Sequence, residues 1–198
     1  MPVYNRQAYI QRAIESVLYQ SYDNWELITV DDGSEDYSPY LLEIYKAYSS
    51  KIKVVHQDHK RLPAARNNGI KNSTGSLITF LDSDDEFTKE HLEIRINYLN
   101  KNPEIDLLHG GVKIIGNEFV PDKENPKQLI HLSQCIIGAT FFGKRNVFIE
   151  TGGFNDIPYS EDSEFLERVI KQYKVEKVNY PTYIYHRDTP DSITNSIG

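Results

Sequence analysis

The sequence predicts an α/β protein: a mainly parallel, doubly wound central sheet flanked by helices, with a mixed or antiparallel extension in the second half. Three observations carry this. The first hundred residues alternate short β-rich runs with helical ones, the run Ser76 to Phe87 opens as an almost wholly apolar strand, and two strands end abruptly in clustered acids. Strand side chains alternate faces, so an apolar run without alternation reads as a strand buried on both faces, as in a sheet covered by helices.

The elements follow in order. From Gln7 to Gln20, Ile10, Ala13, Ile14, Val17 and Leu18 recur at helical spacing, and Trp25 to Val30 is a buried strand. Ser38-Pro39 opens a second helix, proline being tolerated in a first turn where its missing N–H is not needed. Ile52 to His56 reads as a strand, Ala64 to Lys71 as a short helix, and Lys89 to Asn100 as a helix stopped by Asn102-Pro103. Such β-α-β alternation defines right-handed crossovers of a parallel sheet. In the second half, Ile105 to His109, Val112 to Gly116, Ala139 to Gly143, Val175 to Val178 and Thr182 to Tyr185 are expected strands. Pro121 to Lys127 reads as a polar loop and Glu161 to Gln172 as a helix. One domain over 1–198 is expected, with a nucleotide-type half at 1–104 and a second half at 105–198.

Composition narrows the classes. A chain of 198 residues that is 39% hydrophobic can bury one good core but not two large ones. With 22 basic and 29 acidic residues, a net charge of −7 and a pI near 5.4, it is a poor match for nucleic acid or an anionic membrane. A single cysteine, Cys135, excludes an internal disulfide and suits a reducing, cytoplasmic compartment as a structural thiol. No stretch approaches about 18 apolar residues and no export signal precedes the domain, so a soluble piece is expected.

The acids bear the chemistry. Asp82, Asp84, Asp85 and Glu86 fill four of five positions where the strand leaves the sheet, the edge at which open α/β sheets bind ligands. Carboxylates are hard ligands suited to Mg²⁺ or Mn²⁺, and Mg²⁺ takes only one or two from the protein, leaving its other positions to water and phosphate. A metal-bridged phosphate substrate is therefore indicated. The competing reading is a solvated turn capping the next helix. An EF-hand fails because Phe87 stands where the loop needs glycine.

Other clusters repeat the pattern: Pro2-Val3-Tyr4-Asn5 before the first helix, Val30-Asp31-Asp32-Gly33-Ser34 at a second strand end, and Ala64-Ala65-Arg66-Asn67-Asn68-Gly69 at a helix start. Further on come Gly152-Gly153-Phe154-Asn155-Asp156, Ser160-Glu161-Asp162 and Tyr185-His186-Arg187 ahead of Ser192-Ile193-Thr194. Singly, each has an ordinary explanation in turn geometry, capping or packing.

This ordered set resembles the inverting family 2 glycosyltransferases with the GT-A fold, a Rossmann-like architecture, over nearly the whole chain from Pro2 to Thr194. The resemblance implies a nucleotide diphosphate sugar donor, most often a UDP-sugar, held on Mn²⁺ or Mg²⁺, and a glycan or glycolipid acceptor in polysaccharide, glycolipid or cell-surface glycan synthesis. It implies Asp84 as principal metal ligand, Asp82 on the ribose or the metal, and His186 as a further ligand. Asp31 and Asp32 would read base and ribose. Pro2, Tyr4 and Asn5 would line the base pocket, and Arg66 would lie near base or diphosphate. Arg187 would neutralise the leaving group, and Asp162, beside Glu161 at the substrate, would be the general base. Family members carry a full strand before the PVYN motif, so this first strand is expected to be missing or the chain to be a fragment of a longer one. Attachment to the cytoplasmic face of a membrane would then come from segments outside it.

Three rivals remain at this stage. A nucleotide-sugar pyrophosphorylase calls for a Gly-rich, Lys-containing phosphate loop that is not present. A catalytically silent nucleotide-sugar-binding domain would need no base. A Ca²⁺-binding module would need acids without a nucleotide pocket.

Overall fold

The computed structural model describes residues 1–122, 125, 127–157 and 160–189. The chain opens with β1 (Pro2–Val3), α1 (Ile10–Leu18), β2 (Leu27–Asp31), α2 (Ser38–Tyr48), β3 (Ile52–His56) and α3 (Arg61–Asn72). β4 (Leu77–Thr79), β5 (Glu86–Phe87) and α4 (His91–Lys101) follow, then β6 (Leu107–His109), β7 (Val112–Ile115), β8 (Phe119–Pro121) and β9 (Leu129–His131). The last part holds 3₁₀ turns at Leu132–Gln134 and Gly138–Thr140, β10 (Phe142–Lys144), α5 (Arg145–Glu150), α6 (Glu161–Val169), β11 (Val175–Lys177) and β12 (Tyr183–His186).

β1, β2 and β3 form a parallel sheet in that order. Every residue of β2 is buried, and its two faces meet different layers. Leu27 joins the core made by Ile10, Ala13, Ile14 and Val17 of α1 and Leu42 of α2, while Ile28 and Val30 pack on Ala65 of α3. A strand apolar on both faces is thereby covered on both, as its composition requires. The first strand is present, short as it is: Val30 N–H bonds the Met1 carbonyl at 2.9 Å and Asp32 N–H the Val3 carbonyl at 2.8 Å.

A second sheet runs β11-β6-β10-β4 and a third β5-β12-β7. Here the structure corrects the expected parallel setting of β4, whose strand partner is the antiparallel β10. Ile78 and Phe80 are buried whereas Leu77 and Thr79 are half-buried. Both later sheets join strands from before and after residue 104, so the two halves share sheets rather than sitting side by side. Leu107 and Phe141 face an aromatic core with Phe148, Phe154 and Phe165, while the neighbouring Leu108 and Phe142 face the main core, the alternation that strand geometry imposes.

Three elements depart from the sequence reading. The loop expected at Pro121 to Lys127 lies in the connection of an antiparallel hairpin, β8–β9. The strand expected from Ala139 starts only at Phe142, because Gly138–Thr140 form a 3₁₀ turn with Thr140 N–H and hydroxyl both bonded to the Ile137 carbonyl. Arg145–Glu150 turns helical where no helix was expected. No helix among the described residues is long and apolar enough to cross a membrane.

Candidate active site

The turn after β4 and the head of α6 converge on Arg66 of α3. Its guanidinium is buried and spans two elements, Nη2 donating to Asp82 Oδ1 at 3.1 Å and Nη1 to Glu161 Oε1 at 3.2 Å. It lies over the rings of Phe154 at 5.3 Å and Phe80 at 5.9 Å. Burial works against its charge, but Asp82, Glu161 and Asp162 outweigh this and hold its pKa above the ordinary value. The acid turn after β4 and the acids heading α6, eighty residues apart in the chain, are thus drawn to one cation.

Around the acid turn, burial and then the neighbouring Asp82 charge push Asp84 above the ordinary carboxylate range, opposed by Arg6 and Arg12. The Arg6 Nε lies 3.8 Å from Asp84 Oδ2, and Arg12 donates to the Asp84 carbonyl. Asp85 faces inward, accepting from the Tyr183 hydroxyl at 2.6 Å and the His186 N–H at 2.8 Å, and so ties the turn to β12. Burial, reinforced by Asp82 and Asp84, raises its pKa well above the usual range.

Among the described residues no group of three or more His, Cys, Asp or Glu could hold a metal ion. Asp82 and Asp84 nevertheless fit a divalent cation that is completed by substrate phosphate, since such an ion needs only one or two protein carboxylates. The mutual repulsion of Asp82 and Asp84 is also the charge imbalance a cation would relieve. His186 is placed differently from a free ligand: Nε2 bonds Glu86 Oε1 at 2.8 Å and Nδ1 bonds Asp188 Oδ1 at 3.2 Å.

At the head of α6, Asp162 Oδ1 accepts from Ser163 N–H at 2.7 Å and Oδ2 from Gly138 N–H at 3.1 Å. Burial, then the adjacent Glu161 charge, raises its pKa against the pull of Arg66 and the two amides. A carboxylate shifted up in this way is a better proton acceptor near neutrality. The approach to α6 is set by the loop after α5. Gly153 has φ +70°, and a Cβ there would collide with Asn67 Oδ1, which instead accepts from Phe154 N–H at 2.8 Å while Asn67 Nδ2 donates to the Phe154 carbonyl at 2.7 Å. Phe154 then stacks on Phe165 of α6 with ring centroids 4.7 Å apart.

On the opposite flank, Asp31 is buried and bonded by Ser34 N–H at 3.1 Å and His56 Nδ1 at 3.0 Å. Asp32 accepts from Gln57 Nε2 at 2.6 Å, Lys60 N–H at 2.8 Å and Arg61 N–H at 2.8 Å, satisfying amides at the start of α3. Of the first motif, Pro2 is buried in β1 and Asn5 holds the 34–35 turn, its Oδ1 accepting from Glu35 N–H at 2.8 Å. Tyr4 and Asn5 are exposed, and the Tyr4 ring stacks on His59 with centroids 4.0 Å apart. Arg187 is buried, with Nε 3.3 Å from the Asn117 carbonyl and Nη2 3.4 Å from that of Phe119. The Ser192-Ile193-Thr194 motif lies outside the described residues. Gly138 is the residue the sequence does not signal, because it stands in no motif and reaches Asp162 from a distant segment.

The fold and this site define an α/β protein with two acid groups gathered on a buried arginine, and comparison with known proteins places it. A model described as glycosyl transferase family 2 matches residues 1–154, and the chain belongs to that family. It is 30% identical over 184 residues to the Escherichia coli UDP-Glc:alpha-D-GlcNAc-diphosphoundecaprenol beta-1,3-glucosyltransferase WfgD, covering 90% of this chain and 71% of WfgD. Against Rickettsia felis and Rickettsia conorii glycosyltransferases it is 44% identical over 102 residues, yet spans only 17% of their length.

The structure of Staphylococcus aureus TarS 1-349 in complex with UDP-GlcNAc superposes with a TM-score of 0.78 at 20% identity, covering 98% of this chain and 59% of that one. The Pyrobaculum calidifontis mannosyltransferase PcManGT in complex with GDP-Man and Mn²⁺ gives 0.76 at 16% identity, covering 98% and 57%. The architecture is the GT-A fold.

Proposed function

We propose that this domain transfers a sugar from a nucleotide diphosphate sugar, a UDP-sugar in the first instance, to an acceptor hydroxyl with inversion at the anomeric carbon. The observation that carries the reading is the Arg66 bridge, which joins the acid turn at Asp82-Asp84 to the head of α6 at Glu161-Asp162 through one buried cation. Its support from relatives is the UDP-GlcNAc complex of TarS and the donor in the name of WfgD.

In this scheme Asp84 and Asp82 would hold Mn²⁺ or Mg²⁺, which when bound supplies charge neutralisation for the leaving diphosphate. The Mn²⁺ in the PcManGT complex supports that choice. His186 enters the set only by exchanging its Glu86 bond. Asp162 accepts the acceptor hydroxyl's proton as that oxygen attacks the anomeric carbon opposite the diphosphate. Such help is worth about 10²–10⁴-fold. Tyr4 and Asp31 take the base and ribose, with Pro2, Asn5 and Asp32 shaping that pocket from behind. Arg66 keeps the two acid groups together. Arg187 serves the diphosphate by swinging from the hairpin carbonyls.

The acceptor is a glycan or glycolipid, consistent with the lipid-linked acceptor in the name of WfgD. The site of action is the cytoplasmic face of a membrane, reached through segments outside this domain. A catalytically silent nucleotide-sugar binder would have no use for a buried carboxylate with a raised pKa at position 162.

Calorimetry with UDP, GDP and dTDP, each with and without Mn²⁺, tests the reading. Metal-dependent binding of one nucleotide, lost in Asp84→Ala and kept in Asp162→Asn, is expected. Asp162→Asn should in turn lose transfer by about 10²-fold or more. Nucleotide binding that ignores both metal and Asp84, or full transfer by Asp162→Asn, would sink the corresponding role.

A further inference from the structure

The 3₁₀ turn Gly138–Thr140 has no part in the motifs, yet its first residue touches Asp162. Gly138 N–H donates to Asp162 Oδ2 at 3.1 Å, and a Cβ on Gly138 would stand 2.8 Å from Asp162 Cβ and 3.1 Å from Arg66 Nη1. Under 3.0 Å to a carbon that the fold holds in place, something must shift, so only glycine brings its amide this close to the carboxylate.

The turn is itself bolted to the interior. Thr140 is buried, and its hydroxyl donates to the Ile137 carbonyl at 2.7 Å and accepts from Gly110 N–H at 2.9 Å. Gly110, in the connection between β6 and β7, accepts at its carbonyl from Arg95 Nη2 at 2.7 Å, and Arg95 is wholly buried in α4. A continuous set of hydrogen bonds therefore runs from α4 through the β6–β7 connection and the 3₁₀ turn to Asp162.

We infer that Gly138 and Thr140 are positioning residues for the reaction: Gly138 orients the Asp162 carboxylate through its amide, and Thr140 holds Gly138 in place. The inference rests on the reading of Asp162 as general base. The carboxylate has one oxygen tied to the backbone amide beside it, Ser163 N–H, and only Oδ2 is tied to a separate segment. Loss of that second tether leaves the head of α6 intact while freeing the side chain to rotate, and misplacement of a reacting group by about 1 Å can cost around 10²-fold.

The test uses the whole chain in five forms: wild type, Thr140→Val, Thr140→Ser, Gly138→Ala and Asp162→Asn. UDP affinity with Mn²⁺ is measured by calorimetry, and turnover as UDP release from UDP-glucose and UDP-GlcNAc. Thr140→Val and Gly138→Ala are expected to lower kcat by about 10- to 100-fold. In Thr140→Val, UDP affinity and donor KM should stay within about twofold, the split that marks loss of a transition-state interaction rather than of binding. Thr140→Ser, which keeps the hydroxyl, should restore kcat.

Amide exchange at Gly138, followed by NMR, gives a readout independent of the donor: Thr140→Val should speed it by about tenfold or more. Should Gly138→Ala fail to fold, Thr140→Val and its serine rescue decide. Wild-type kcat in Thr140→Val while Asp162→Asn is inactive overturns the positioning role alone, as does unchanged exchange at Gly138. An active Asp162→Asn instead overturns the base assignment on which the inference rests.

Discussion

Asp162 and Asp32 illustrate how similar acids acquire different work. Both lie where a strand or loop meets a helix, and both looked like candidate ligands in sequence. Asp32 has its oxygens filled by three protein donors at 2.6–2.8 Å, two of them backbone amides at the start of α3, so the capping alternative explains its geometry. Asp162 instead keeps a raised pKa, from burial first and the Glu161 charge second. A base acts only when ionised, so transfer should fail as pH drops through that raised pKa. Glu161→Gln removes a charge that raises it and releases Arg66 from its second partner; both effects lower the pKa. The acid limb of the kcat/KM profile for UDP release should therefore move to lower pH. A limb that stays put, or moves up, would show that another group titrates there.

At the scale of elements, the residues after α5 tie α3 to α6, through the Asn67–Phe154 bonds on one side and the Phe154–Phe165 stack on the other. Gly152 and Gly153 both have positive φ, but their surroundings differ: a Cβ on Gly152 meets nothing within 4 Å, whereas one on Gly153 runs into Asn67. Gly152→Ala should cost only the left-handed backbone penalty, about 1–2 kcal/mol. Gly153→Ala should cost more, since it also breaks the paired Asn67–Phe154 bonds, and it should lower transfer as well as stability. Urea denaturation of the two variants checks the order, and equal losses would remove the Asn67 contact from the account.

Across the whole molecule, acid sensitivity should come from the buried His91 and the half-buried His109 as well as from the site. Burial, with Lys177 and Arg95 nearby, lowers the His109 pKa to about 4, and burial beside Arg95 lowers that of His91 well below its ordinary value. The unfolded chain protonates these rings near the ordinary value of about 6.5 while the folded one resists, so between roughly pH 6.5 and 4 stability falls as pH falls. Thermal melts across that window should steepen with acidity, and His109→Gln should flatten the slope; an unchanged slope would locate the linkage elsewhere.

The sequence by itself determined the alternating elements of the first hundred residues, the acid-ended strands and the family, because hydrophobic periodicity and short motifs are local properties of the chain. It also placed Asp82, Asp84, Arg66 and Asp162 among the site candidates. Only the tertiary structure decided that β4 pairs antiparallel with β10, that Asp32 and Asn5 accept from backbone amides of other segments, and that both nitrogens of His186 are already bonded. Only it revealed Gly138 against Asp162. Those outcomes depend on which distant segment supplies a hydrogen-bond donor or a neighbouring strand, and no local pattern of residues carries that information.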